Sequence, residues 1–419
     1  MTLPTDHDTK RDSWEYFLLR AARSISLSES QYEKIDDRYG VLEGILNASS
    51  NPILSNAHIF VQGSIGLRTT IKPLAGAPAD LGTVDADAIV WLPNAEGASA
   101  QDVLDEIYDR ISEGTRVEAK VKLLRRGVRI IYADTNPGFH IDVTPARAVP
   151  GNTEADGQGK LEVPDRELMA WKASSPIPYM HWLDAATKKE ITLESIAALS
   201  RKALVMDAAT QAPLPAYEQY IDSDPLRAAI KLLKRHRDEW AVRSGDPKHR
   251  PISAVITTLA TRAYEDVAAD SHQRPRKPLE AILEIVGNMA KYIRYEDGQF
   301  QVCNPQDSGE NFAEKWNRAD EGSAYVQSFY QWHASATESM SIGLQEFPSA
   351  EAFNDAIKER FALGGTFVAA VNNEIPNDWT MPGRKAGHTR NIASMGAVFG
   401  SGASSGQSQE AAESLDRLG

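Results

Sequence analysis

Val84-Asp85-Ala86-Asp87-Ala88-Ile89-Val90-Trp91-Leu92 says more about the fold of this chain than any other stretch. Side chains of a strand alternate between two faces. Val84, Ala86, Ala88, Val90 and Leu92 therefore form one apolar row, and Asp85 and Asp87 sit side by side on the other face. Two adjacent carboxylates repel each other and lose hydration, and a cation between them removes both costs. A D-x-D alone is more often an ordinary solvated strand face, because exposed acids are common.

Working outward, Phe139-His140-Ile141-Asp142-Val143-Thr144 repeats the design, with Phe139, Ile141 and Val143 on one face and His140, Asp142 and Thr144 on the other. Laid beside the first strand it brings three carboxylates together, which suits two Mg²⁺ ions bridging a nucleoside triphosphate and an attacking hydroxyl. His140 shares that face and reads mainly as a structural hydrogen-bonding residue. Upstream, Phe60-Val61-Gln62-Gly63-Ser64 is a strand running into a turn. Glycine there lets the backbone approach a phosphate, and the serine hydroxyl can donate to it. A Gly-Ser pair alone is more often a plain turn.

The surroundings give an α+β chain. Ser28 with Gln31 is a capping-box pattern opening a helix striped by Tyr32, Ile35, Tyr39, Leu42 and Ile45. Short β-prone runs with one intervening helix fill residues 58–150, and helical patterns dominate beyond about 165. Asp224-Pro225 is an N-cap and an N1 proline. In the helix that follows, Leu226, Ala229, Ile230, Leu233 and Trp240 form an apolar stripe, and Arg227, Lys231 and Lys234 share another face. The expected division is 1–165 for an N-terminal helix plus catalytic lobe, 166–395 for a helical lobe, and 396–419 for a disordered tail too small and polar to offset its ordering entropy. The 419 residues carry a formal charge of −13, which argues against direct DNA binding and against an anionic membrane. One cysteine, Cys303, excludes a disulfide framework and a cysteine zinc cluster. No signal sequence or long apolar run is evident, so the expected location is the cytoplasm.

Gly63-Ser64, Asp85-x-Asp87 and the later strand carboxylate Asp142 together resemble the DNA polymerase β-like nucleotidyltransferase superfamily. Leu123–Tyr132 leading into Phe139–Ala146, then Leu226–Asp238 and Pro251–Ala260, narrow the resemblance to bacterial cGAS/DncV-like nucleotidyltransferases, the CD-NTases of CBASS anti-phage systems, over about residues 25–300. Two features depart from the pattern. The Ala/Gly/Pro-rich segment Leu74–Asp80 lengthens the Gly-Ser to D-x-D interval, and the cysteine cluster of the animal DNA sensor is absent.

The resemblance implies a mixed-sheet catalytic core packed on a helical lobe, with the active site in the cleft. It implies Mg²⁺-dependent joining of ATP or other NTPs into a cyclic di- or trinucleotide, with release of pyrophosphate. That product activates a separate effector. Asp85, Asp87 and Asp142 would be catalytic and hold two Mg²⁺ ions, with Mn²⁺ an alternative; Gly63, Ser64, Lys231, Lys234 and Ser253 would bind the nucleotide. Two other partners belong to the family's operons: a ubiquitin-conjugation-like enzyme acting on a C-terminal glycine, here Gly419, and a HORMA-type regulator. Two readings compete with the synthase: transfer of a single nucleotide to a protein, RNA or small molecule, and a non-catalytic nucleotide-binding scaffold. The intact set of three acids argues against the scaffold.

Overall fold

The structure, a computed structural model, describes residues 6–77, 79–114, 119–135, 137–149, 157–189, 191, 214–217, 224–377 and 379–382. The expected tail, 396–419 with Gly419, lies outside the described residues.

The strands predicted from alternation form the centre of a seven-stranded mixed sheet, ordered β1-β2-β5-β4-β3 with β6 and β7 continuing from β5. The strands are β1 (His58–Gln62), β2 (Thr83–Trp91), β3 (Lys120–Leu123), β4 (Val128–Thr135), β5 (Gly138–Ala148), β6 (Leu161–Asp165) and β7 (Ala170–Ser174). β2 and β5 run parallel, and β1 and β4 flank them antiparallel. The apolar row of β2 is buried under helices α2 (Glu29–Asn47) and α4 (Ala100–Gly114), through Ile35, Tyr39 and Leu42 from one and Val103, Ile107 and Ile111 from the other. α2 opens on the expected Ser28/Gln31 capping box. Between β1 and β2 the chain makes a single helical turn, α3 (Gly63–Gly66). With one face of the sheet closed by helices, the acids are left on the other.

The helical lobe is built on α5 (Pro176–Thr187), α6 (Pro225–Ser244), α7 (Ser253–Ser271), α8 (Pro278–Asn288), α9 (Gly322–Met340), α10 (Ala350–Phe361) and α11 (Gly365–Glu374). Two small hairpins interrupt it, β8 (Arg294–Glu296) with β9 (Gln299–Gln301), and β10 (Cys303–Asn304) with β11 (Asp307–Asn311).

The structure corrects one grouping. The first helix, α1 (Asp6–Ser24), was expected with the catalytic lobe. Its Trp14, Phe17, Leu18 and Ala21 join the helical core instead, and Trp14 donates from Nε1 to the Met340 carbonyl at 2.7 Å. An apolar stripe predicts burial but not the partner that covers it.

α6 lies at the middle of the lobe and is enclosed on both faces. Its apolar stripe enters the helical core, and its cations reach the other way, toward the segment that follows α3. Arg227 Nε donates to the Leu67 carbonyl at 3.1 Å, Lys234 Nζ to Thr69 at 2.9 Å, and Arg235 to Lys72 at 2.6 Å. Backbone carbonyls of an irregular loop need partners once buried, and α6 supplies them. The lengthened Ser64-to-Asp85 loop is thereby fixed against the helical lobe.

Candidate active site

The parallel register of β2 and β5 sets Asp85 opposite His140 and Asp87 opposite Asp142. β4 then places Arg129 opposite Asp142. One ligand atom each from Asp85, His140 and Asp142 falls within 4.8 Å of the others. His140 Nε2 lies 2.7 Å from Asp85 Oδ1, while Nδ1 contacts Thr83 Oγ1 at 3.2 Å. The Nε2 contact has no hydrogen-bond geometry, so a buried ring nitrogen faces the carboxylates without a hydrogen-bond partner. Arg129 grips Asp142 as a fork, Nε to Oδ1 at 2.6 Å and Nη2 to Oδ2 at 2.7 Å.

Asp87 turns toward the α3 turn. A Cβ built on Gly63 would lie 2.1 Å from Asp87 Oδ2, and Gly63 has φ +61°. Only glycine meets both demands, since other residues strain at positive φ and a methyl group would collide with the carboxylate. Ser64 lies beside it, its Oγ accepting from Thr70 Oγ1 at 2.8 Å.

The charges are unbalanced. Burial raises the Asp87 carboxyl well above its ordinary range, and the neighbouring charges of Asp85 and Asp142 raise it further. Burial also raises Asp142, against the pull of Arg129. Asp85 goes the other way: burial pushes it up, but the His140 contact and the charges of Arg129 and Lys234 hold it below the usual range. Protein crowds these groups, yet the Asp85 side chain remains 54% exposed, as at the floor of an open cleft. Like charges this close favour a cation among them. The orphaned His140 nitrogen and the oxygen-rich donor set fit a divalent ion held by Asp85 and Asp142, with Asp87 adjacent.

Of the cations expected from α6, Lys234 is 4% exposed, and its charge is felt by Asp85 and Asp87. Burial first, then the charge of Arg237, lowers its ammonium to about 7. Lys231 is also buried and donates to Ser26 Oγ at 3.0 Å. Arg227 pairs with Asp224 at 2.7 Å and with Asp184, so it is a structural charge. Ser253 sits at the start of α7, as expected, and its Oγ accepts from Arg237 Nη1 at 3.0 Å. Tyr179 and Trp182 are core residues, packed at a tilt against each other, with Tyr179 also meeting Phe312 edge to face. Arg125 and Arg126 hold the buried Asp165, and Arg126 also reaches Glu314 at 2.6 Å.

Two site residues escaped the sequence reading. Arg129 was seen only as part of a motif, although its position in β4, three residues from the Arg125-Arg126 turn, marks it as a strand cation. His140 was read as structural; it shares Asp142's face, which was the available signal.

Residues 14–186 match the family described as Second Messenger Oligonucleotide or Dinucleotide Synthetase domain. A c-di-GMP synthase from Roseivirga ehrenbergii is 24% identical over 304 residues, 71% of this chain and 72% of its own length. Residues 14–186, which hold the sheet and its acids, are thus similar to a nucleotide second-messenger synthetase domain. Solved structures of CD-NTases have the same fold. CdnG of Bradyrhizobium diazoefficiens, solved with GTP, aligns at a TM-score of 0.59 and 18% identity, covering 86% of this chain and 98% of that one. CdnC of E. coli MS115-1, solved with ATP, aligns at 0.53 and 12% identity, covering 83% and 97%. The same CdnC in complex with HORMA-deltaN aligns at 0.51 and 13% identity, covering 82% and 96%. Among the described residues, no helix is long and apolar enough to cross a membrane.

Proposed function

We propose that this chain is a CD-NTase of the cGAS/DncV-like family, which joins nucleoside triphosphates into a cyclic di- or trinucleotide and releases one pyrophosphate for each bond formed. The observation that carries the reading is the β2–β5 register, which aligns Asp87 with Asp142 and Asp85 with His140 beside the Gly63-Ser64 turn. A ribose hydroxyl attacks the α-phosphorus of an NTP; a P–O bond forms, the α–β P–O bond breaks, and pyrophosphate leaves. A second such step closes a dinucleotide ring, and a third closes a trinucleotide ring. Asp142 takes the hydroxyl proton. Mg²⁺ would be held by Asp85 and Asp142, whose ligand atoms converge with that of His140, with Asp87 as the third carboxylate beside them; it would supply charge neutralisation at the reacting phosphate, and the His140 nitrogen would also suit Mn²⁺.

The remaining groups bind and orient. Ser64 and the Gly63 backbone approach the phosphates, Lys234 faces the triphosphate, and Ser253 presents a hydroxyl at the start of a helix, where anions are favoured. Lys231 supports Lys234 from the neighbouring turn of α6. Arg129, forked onto Asp142 without substrate, is placed to exchange that carboxylate for a phosphate oxygen. The product activates a separate effector. CdnC's complex with HORMA-deltaN supports a HORMA-type regulator as a partner of this chain as well. A ubiquitin-conjugation-like enzyme acting on Gly419 is the other partner proposed.

The test is to incubate the pure chain with labelled NTPs and Mg²⁺ and count pyrophosphate against nucleotide incorporated. A ratio of one, in phosphatase-resistant material, supports ring closure. Label on a protein, RNA or small acceptor would favour single-nucleotide transfer instead.

A further inference from the structure

The helical lobe contains a cavity of about 430 Å³ that shares no lining residue with the carboxylate site. It lies between the middle of α7, the 289–292 turn and the β8–β11 hairpins. Its lining includes Arg262, Lys291 and Arg294 and no aspartate or glutamate. In a chain of net charge −13 this is a local reversal of sign.

The lining divides into engaged and free groups. Thr258 Oγ1 is bound to the Tyr179 hydroxyl at 2.8 Å, the Asn304 amide donates to Glu310 at 2.7 Å, and the Tyr292 hydroxyl donates to Asp266. Arg262 has one long ion pair, 3.4 Å to Glu265, which is itself held by Lys189 at 2.8 Å. Among the described residues, no hydrogen bond or ion pair engages the side chains of Lys291 or Arg294. Lys291 and Arg294 are therefore cationic donors still free, beside the neutral side chains of Gln301 and Ser308. Leu259, Val302 and Pro305 add an apolar strip beside them. Converging cations bind phosphate strongly, with guanidinium adding a fork, and a strip of that kind accepts the ring or sugar of an organic ligand.

We propose that this cavity is a second ligand site, for a small phosphate or phosphate-ester anion carrying about two to four negative charges. The site is outside the centre where bonds are made, so its occupant acts as an effector of the enzyme. Substrate NTPs, pyrophosphate and the cyclic product all carry this chemistry, and the experiment separates them.

The full chain would be titrated calorimetrically with ATP, with inorganic pyrophosphate and with a cyclic dinucleotide, all in EDTA to weaken metal-dependent binding in the cleft. Each titration would be repeated with Lys291→Ala/Arg294→Ala, whose two altered residues are solvent-exposed. At least one probe should bind the wild-type chain, and the double variant should bind it at least tenfold more weakly. The probe that responds names the ligand's source. Turnover with Mg²⁺ and no added effector, measured in parallel, should persist in the variant. Equal binding by both chains for all three probes, or binding of none of them, would overturn the proposal. Loss of basal turnover in the variant would overturn it too, by placing these residues in the catalytic cleft. If neither chain turns over NTPs, the synthase reading fails while the binding result still decides the second site.

Discussion

The polar face of β2–β5 and the polar face of α6 are both rows of like charge, yet the structure treats them in opposite ways. On α6, Arg227 is neutralised by Asp224 and Asp184, and Arg227, Lys234 and Arg235 also donate to carbonyls of the loop after α3. On β2–β5, Asp87 is pushed well above its ordinary range, first by burial and then by the charges of Asp85 and Asp142. Charges whose partners come from the protein build the fold. Charges left in surplus are waiting for something outside it. Lys234 alone belongs to both groups: it holds Thr69, and its charge reaches the acids.

The comparison breaks most visibly at the acids. Asp85→Asn with Asp87→Asn should lower product formation about 10³-fold or more. Its thermal midpoint should equal or exceed that of the wild type, because like-charge repulsion is relieved. A large fall in the midpoint would make these acids structural. Arg227→Ala should do the reverse. Removing one member of a buried ion pair costs about 3–5 kcal/mol, so denaturant titration should show a large loss while activity per folded molecule holds.

A third pairing sharpens the contrast. Asp165 is fully buried, and its carboxyl is lowered to about 2 by Arg125 and Arg126 against the opposing effect of burial. A depressed carboxylate contributes stability that is complete above its unfolded value near 3.8 and is lost as the pH falls through about 2. Asp165→Asn should cost about 2 kcal/mol at pH 7, with the gap to wild type closing as acid is added. A gap that does not change with pH would contradict the charge assignment.

The smallest effect is at Lys234. Lys234→Ala should raise the KM for NTP about tenfold, the worth of one charge-assisted contact. With its ammonium lowered to about 7, the wild-type residue is largely neutral at pH 8, and a bound triphosphate restores the proton. Calorimetry in buffers of different ionisation heat should therefore show proton uptake on NTP binding at pH 8 in the wild type, and less in Lys234→Met. Equal uptake in both would remove Lys234 from the phosphate site.

What could be read from the sequence was local and periodic. Alternation at Val84–Leu92 and Phe139–Thr144 gave β2 and β5, and capping chemistry gave the starts of α2 and α6 at Ser28 and Asp224. What could not be read was pairing across the chain. Nothing near Arg129 announces that Asp142 is its partner, since strand register is set by the whole sheet. Arg227 and Lys234 look alike on a helical face, and the roles separate through the nearby Asp224 and the distant Asp184, both paired with Arg227. The β8–β11 hairpins are short and largely polar, so they carried no hydrophobic alternation to reveal them.

The central claim is that the surplus of acids on β2–β5 serves ring-closing nucleotide transfer. The mass of the product made from NTPs and Mg²⁺ tests it directly. The account predicts a species equal to the joined nucleoside monophosphates less one water per linkage, with as many linkages as nucleotides, absent with Asp85→Asn/Asp87→Asn. A product that keeps its 5′-triphosphate, a nucleotide found only on an acceptor, or an undiminished yield from the double variant would contradict it.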